Sequence, residues 1–364
     1  FASWKATLKA EEPMRDVLNE LERLSTQGSR LGRAVVTSVW GSAPRPEGAC
    51  MLGTETGAFA GSISGGCVES AVLQEIAQAI EQDTPRLVSF GVTHERAWEV
   101  GLACGGTIEV FVEPSIRHEV IAAASDESGS VVATVLDGES IGRSVVIRED
   151  GAVTTPGDLA WLADQVHDAA LESLRTEKSR TVELPLPDGG RAKVFLEVFA
   201  RRPKLVVFGA GHIAMALVPL AKAVGFRTIV ADAREAFLTR ERFPEVDELV
   251  LDWPEAAFAR IGIDRATYIC ILSHDPKFDD PALEIGLRSA ARYLGAIGSR
   301  KTQDKRRERL REAGFRDADI DRIHGPIGLD LGGRSPTEVA LAIVAEMIAA
   351  RYGRSIGRWS IVDG

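Results

Sequence analysis

Cysteine is scarce in this chain, with four in 364 residues, at positions 50, 67, 104 and 270. So few, with no clustered spacing, exclude a disulfide framework and point to a reducing, cytoplasmic setting. The paired Cys-x-x-Cys of a structural zinc site is missing, as is the cysteine pattern of an iron-sulfur protein. No HExxH, Walker loop or Ser-His-Asp order occurs either. Basic residues are outnumbered, 43 Lys and Arg against 53 Asp and Glu, which argues against nucleic acid or an anionic membrane surface as the main partner. No basic segment followed by an apolar one opens the chain as a secretory signal would. The most apolar stretch, Leu205 to Phe226, contains His212, Lys222 and a Gly-X-Gly turn, so it reads as strand, turn and helix, not as a membrane span. No internal repeat or low-complexity tract is present.

What is present is the composition of a globular protein of about two domains, 45% hydrophobic and 26% charged. Residues 1–13 precede the first methionine and read as sequence added ahead of the native chain. From Met14 an amphipathic helix leads to a β-branched strand, Arg33 to Trp40, and then to a Pro/Gly-rich loop, residues 41–48. A hairpin over Cys50 to Ala60, a helix from Val68 to Gln82, and strands at Arg86 to Phe90 and Thr107 to Glu113 follow. Val131 to Leu136, Ser144 to Ile147, Thr181 to Leu186 and Ala192 to Phe199 alternate as strands of a meander, with a helix near Leu159 to Leu174. These segments make residues 14–200 a mixed α+β domain. After Pro203 strand and helix alternate, which predicts a Rossmann-type, doubly wound parallel sheet over residues 203–364, closed by an apolar helix from Thr337 to Ala350. That last helix suggests a homodimer.

Chemistry concentrates at two places. Ser64-Gly65-Gly66-Cys67 precedes the helix of Val68, Val72, Ile76 and Ile80, so Cys67 stands at a helix start, where free N–H groups and the helix dipole favour an anion and lower a thiol pKa. The segment is an activated thiol, an anion cradle, both, or simply a glycine turn before a buried cysteine. Cys104-Gly105-Gly106 mirrors it, and if the two turns meet they form a soft-sulfur site able to pass sulfur or hold a soft metal. Cys50 and Cys270 lie in apolar strands and read as core.

The second place is Gly209-Ala210-Gly211-His212-Ile213-Ala214, a dinucleotide fingerprint between strand and helix, with Asp232 ending the next strand to bind ribose hydroxyls. Arg234 leaves room for a 2′-phosphate. Ser273-His274-Asp275, Gly298-Ser299-Arg300 and Gly328-Leu329-Asp330 are placed at carboxyl ends of strands, where such sheets bind ligands. His274 with Asp275 is either an acid/base pair or a helix cap. Gly298, Ser299 and Arg300 suit a phosphate or carboxylate, whereas Lys301, Lys305, Arg306 and Arg307 behind them read as a solvated face.

Taken together, Trp40-Gly41-Ser42-Ala43-Pro44-Arg45-Pro46, Gly61 to Glu69, Cys104-Gly105-Gly106, Phe208 to His212, Ile297 to Lys301 and Pro326 to Asp330 resemble the XdhC/CoxI family of xanthine dehydrogenase accessory proteins. The resemblance spans nearly the whole chain from Trp40. Ala214 and Ser273 stand where Gly and Thr are common in the family. It implies a cytoplasmic factor that binds molybdenum cofactor, supports exchange of its oxo ligand for a sulfido ligand, and delivers it to the molybdenum subunit of a xanthine dehydrogenase-type enzyme. A cysteine desulfurase would donate the sulfur. On this basis Cys67 is expected to face molybdenum, with Cys104 as its partner and Glu69 as a proton acceptor, and with Ser64, Gly65 and Gly66 cradling the cofactor phosphate. The Rossmann half, through Gly209, Gly211, His212, Ala214, Asp232, His274, Gly298, Ser299 and Arg300, is expected to hold the nucleotide of a dinucleotide form of the cofactor, or NAD(P). The alternatives are an NAD(P)-dependent oxidoreductase with His274 or His212 as its acid, and a nucleotide-sensing regulatory module.

Overall fold

The structure, a computed structural model, describes residues 13–25, 29–41, 45–91, 106–186 and 190–354. These fall into two compact units divided between Arg201 and Arg202, and each is described by itself.

The first unit is built on two antiparallel sheets. Helix α1 (Pro13–Ser25) precedes β1 (Leu31–Trp40), β2 (Cys50–Thr54) and β3 (Phe59–Gly61); α2 (Glu69–Gln82) then leads to β4 (Arg86–Gly91) and β5 (Thr107–Glu113), giving the order β3-β2-β1-β5-β4. The second sheet follows α3 (His118–Ser125) and comprises β6 (Ser130–Val135), β7 (Ser144–Arg148), β8 (Val153–Thr154), β9 (Arg180–Pro185) and β10 (Arg191–Phe199), with α4 (Ala160–Thr176) between β8 and β9; its order is β8-β7-β6-β10-β9. Strand alternation explains the layering. Ala34 and Val36 of β1 join Val110, Val112 and the α2 residues Val72, Ile76 and Ile80 in one core, while Val35 and Phe111 turn the other way onto Leu136 and Phe195 of the second sheet. Helix α4 covers the far face of that sheet through Leu162, Val166 and Ala170. The unit is therefore an α/β/β/α stack.

A charged network lies between the sheets. Arg33 is 0% exposed, pairs with Glu197 of β10, and donates to Glu113 Oε2 at 2.9 Å. Glu113 also accepts from Arg117 Nε at 2.5 Å, and Arg117 donates to Thr134 Oγ1 at 3.0 Å. Arg33 and Glu113 are direct partners in the β1–β5 register.

The second unit is a parallel sheet, β11 (Lys204–Phe208), β12 (Arg227–Asp232), β13 (Glu248–Leu251), β14 (Thr267–Ile271), β15 (Tyr293–Ala296) and β16 (Ile323–His324). Its order, β13-β12-β11-β14-β15-β16, is that of the doubly wound dinucleotide fold, with its switch point between β11 and β14. Helices α5 (His212–Ala223), α6 (Pro254–Ile261), α7 (Pro276–Arg288), α8 (Arg300–Glu312), α9 (Asp317–Ile320) and α10 (Pro336–Arg351) complete it. Apolar side chains pack on both faces of the sheet: Leu205, Val207 and Cys270 with α5 and α10, and Val206, Phe208 and Ile271 with α6 and α7. The expected α/β class, an antiparallel α+β part followed by a Rossmann sheet, is the fold observed. The last strand is Ile323–His324, so Pro326 to Asp330 is loop.

Gly209 closes the first β–α turn. Its φ is +109°, and a Cβ there would stand 2.5 Å from the Ser273 backbone nitrogen. Both strain and clash oppose any side chain. Gly209→Ala is expected to destabilise this unit by about 2 kcal/mol, read as a lower thermal midpoint with the first unit unchanged.

Candidate functional site

The segment Ser62 to Glu69 folds around a carboxylate of its own. Glu69, the first residue of α2, accepts from Ser62 Oγ at 2.6 Å, Ser64 Oγ at 2.5 Å, and the backbone N–H groups of Ile63, Ser64, Gly66 and Val68 at 2.9–3.3 Å. The two N–H groups between these are also engaged, Gly65 with Ser62 Oγ and Cys67 with Ser64 Oγ, each at 3.0 Å. Gly65 and Gly66 have φ of +76° and +119°, which is why consecutive glycines make this turn. Although burial opposes its charge, the hydrogen bonds from Ser62 and Ser64 prevail and pull the Glu69 pKa down to about 2. The free anion cradle expected at this helix start is thus filled by Glu69. A carboxylate so held is a weak base.

Cys67 is left at the surface. It is exposed, as are Gly65 and Gly66, while Ser64 beneath them is 1% exposed. The other described thiols are buried, as the sequence suggests. Burial pushes the Cys50 thiol up to about 11, and Arg33 Nε donates to its sulfur at 3.4 Å; burial also raises the Cys270 thiol. Cys104 and Gly105 lie outside the described residues.

The register fixes which end of the sheet Cys67 occupies. A Cβ on Gly32, at the start of β1, would meet Ile76 at 2.8 Å and Ile80 at 3.2 Å, so the last turns of α2 lie over the beginning of β1. The opening of α2 therefore points towards the end where β1 finishes and β5 begins, with Thr107 opposite Trp40. Gly106 stands at that end, immediately before β5.

In the second unit Asp232 is 1% exposed and its acceptors are full. Oδ2 accepts from Ala210 N–H and Arg234 at 2.8 Å each, and Oδ1 from the Arg234 backbone N–H at 2.9 Å and its Nε at 2.8 Å. Burial works against its charge, yet these bonds hold its pKa below the usual range. Arg234 also lies over Phe237, 4.3 Å from the ring centroid. Gly211 keeps open space where a Cβ would be, His212 is exposed, and Ala214 is buried against the sheet. The turn suits a pyrophosphate, but the acid beyond it has no acceptor left for a ribose.

At the ends of β14 and β15 a cavity of about 580 Å³ brings together three predicted residues, His274, Gly298 and Ser299. Arg300, at the first position of α8, is exposed and does not line it. Asp275 proves to be a helix cap, accepting from Lys277 N–H at 3.1 Å, and His274 has a left-handed φ of +61°. Sequence reasoning missed Asp279 and Arg306. Arg306, read as part of a solvated face, is 2% exposed and donates to Asp279 at 2.9 Å and Gln303 at 2.6 Å. The signal was the Gln303, Arg306, Leu310 spacing, one helical stripe with a single apolar member.

Among the described residues, no cluster of three or more His, Cys, Asp or Glu side chains is arranged to hold a metal ion, and no helix is long and apolar enough to cross a membrane.

The XdhC Rossmann domain pattern matches residues 205–347, and that of the XdhC and CoxI family matches residues 24–91. A Bacillus subtilis protein named as a probable xanthine dehydrogenase subunit is 30% identical, over 87% of this chain and 92% of its own length. The chain belongs to the XdhC/CoxI family. A second relative with a descriptive name is the molybdenum cofactor insertion chaperone PaoD of Escherichia coli, 26% identical over 88% of this chain and 84% of its own. A crystal structure described as a xanthine dehydrogenase from Bacillus halodurans superposes with a TM-score of 0.70 at 25% identity, covering 94% of this XdhC/CoxI chain and 97% of that one.

Proposed function

We propose that this XdhC/CoxI protein is an accessory factor that binds molybdenum cofactor, supports its sulfuration, and passes it to a molybdoenzyme of the xanthine dehydrogenase type. The observation that carries this reading is an exposed thiol, Cys67, mounted on a turn whose backbone donors are all engaged. Such a turn offers a soft sulfur ligand and little else, which suits a thiophilic metal better than a phosphate. When bound, the cofactor would supply the molybdenum centre to be sulfurated with sulfur from a cysteine desulfurase, and Cys67 would hold it.

This chain's own part is positional. Glu69 holds the turn, so that Cys67 stays at the surface; with its pKa near 2 it is assigned this positioning role in place of proton acceptor. Cys104 is proposed as the second thiol. In sequence it lies two residues before Gly106, and Gly106 stands at the sheet end towards which α2 opens.

A nicotinamide-dependent oxidoreductase is less well supported, because Asp232 has no acceptor left for the ribose of a dinucleotide. The chain's four cysteines also lack the spacing of an iron-sulfur dehydrogenase component. Protein purified from a host that makes the cofactor tests the proposal. Cys67→Ala is expected to retain its circular dichroism and lose at least about tenfold in bound molybdenum and pterin, the scale on which a lost metal contact is felt. Loading equal to wild type would overturn it.

A further inference from the structure

We infer that the Rossmann unit binds a nucleoside monophosphate, in the cavity over the ends of β14 and β15, and not a dinucleotide across the sheet. This goes beyond the molybdenum reading and does not depend on it. Two halves of a doubly wound sheet each offer a mononucleotide position, on either side of the switch point. Here the halves differ. The β11–β12 half is blocked by the chain itself, since a carboxylate has about four acceptor positions and those of Asp232 are taken by Ala210 and Arg234.

The β14–β15 half is open and built. Its cavity of about 580 Å³ falls within the usual size for a small-ligand site. One wall carries the polar groups. Ser299 caps α8, and Gly298 before it has φ +135°, so the backbone approaches closely at the positive end of a 13-residue helix. Thr302, Arg309 and the Asp279 carboxylate also line the cavity, with Arg309 held by Asp280 at 2.6 and 2.8 Å. Behind them Arg306 is 2% exposed, and although Asp279, Gln303 and the Ile297 carbonyl hold its terminal nitrogens, its buried Nε has no partner among the described residues. A guanidinium left with an unsatisfied buried donor beside a cavity is costly unless a ligand acceptor or ordered water completes it. Helix α8 carries seven Lys or Arg against three Asp or Glu, but Arg306, Arg307, Arg309 and Arg311 are paired with Asp279, Asp321, Asp280 and Asp317, so the attraction for an anion rests on the helix start. The lining also includes the apolar Ile297, Pro326, Ile327 and Val339, a wall that suits the face of a planar base. The phosphate belongs at the start of α8, the base against this wall.

Isothermal titration of the full chain with AMP, GMP, CMP and UMP tests the assignment, with the nucleosides, inorganic phosphate and NAD as comparisons. One monophosphate is expected to bind with a stoichiometry of one per chain, at least about tenfold more tightly than its nucleoside or inorganic phosphate, as loss of a charge-assisted contact implies. NAD is expected to bind no better than that monophosphate. Thr302→Glu places a carboxylate at the exposed first turn of α8 and is expected to weaken binding at least about tenfold; Val339→Trp, which fills the apolar wall, should do the same. Arg234→Ala should leave the affinity unchanged within about twofold. Absence of binding by all four monophosphates, affinity indifferent to both cavity variants, or tighter binding of NAD than of any monophosphate would overturn the inference. Molybdenum loading is a separate readout, so failure here leaves the Cys67 proposal standing.

Discussion

Arg33→Met is expected to destabilise the first unit by about 3–5 kcal/mol, enough to remove much of the stability of an ordinary domain. Arg33 is fully buried between Glu113 and Glu197. Methionine fills a similar apolar volume but leaves two carboxylates in a dry interior with, among the described residues, Arg117 on the Glu113 side to compensate. Glu197 shows how finely the site is balanced: burial pushes its pKa above the usual range even with Arg33 beside it, and one of its oxygens lacks a partner among the described residues. Chemical denaturation of wild type and variant is the measurement. The triple substitution Arg33→Met, Glu113→Gln, Glu197→Gln should recover much of the loss, because the charges left behind, more than the lost attraction, make the single change costly. A single variant within about 1 kcal/mol of wild type would show that water reaches the network.

Glu69→Ala comes next, with an expected loss of about 3 kcal/mol from the same unit. The substitution leaves unpaired the N–H groups of Ile63 and Ser64, residues at most 1% exposed, while the Val68 N–H keeps Ser64 Oγ at 3.1 Å. Glu69→Gln keeps an acceptor oxygen and should lose about half as much. The pH dependence follows from the depressed pKa. Its contribution is fully present above the ordinary carboxylate value of 4.5 and is lost as pH falls from there through the folded value near 2. Since Glu69 is partly open to solvent, screening reduces that contribution below what the shift alone suggests. Wild type and Glu69→Gln should therefore converge in stability between pH 4.5 and 2. Equal stability at neutral pH would show that the turn holds itself without the carboxylate.

Much of the fold was legible from local pattern. Glycine turns, alternating strands and the strand-helix rhythm after Pro203 place most of the observed elements within a few residues, α3 and α6 being exceptions, and Gly209 marks a turn that must approach β14. What local pattern does not carry is the register between distant strands. Arg33 and Glu113 each end or open a recognisable strand, yet only the β1–β5 pairing shows that they face each other. The same limit applies to the sites. Cys67 is recognisable from its glycines, whereas the anion that fills its turn is the next helix's own first residue, and a helix-start rule cannot say which anion occupies it. Arg306 was hidden because its stripe on α8 is mostly polar, so the periodicity that reveals a buried face has almost no apolar members to display.

The filled turn around Glu69 also has a consequence for selectivity. A carboxylate tethered a few residues from the donors it occupies acts as an intramolecular competitor, with an effective concentration in at least the millimolar range. Any free phosphate or carboxylate must displace it before it can use those N–H groups. The turn is thereby insulated from the abundant small anions of solution, and under the proposed function recognition at this surface would fall to the sulfur of Cys67, for which Glu69 is no rival.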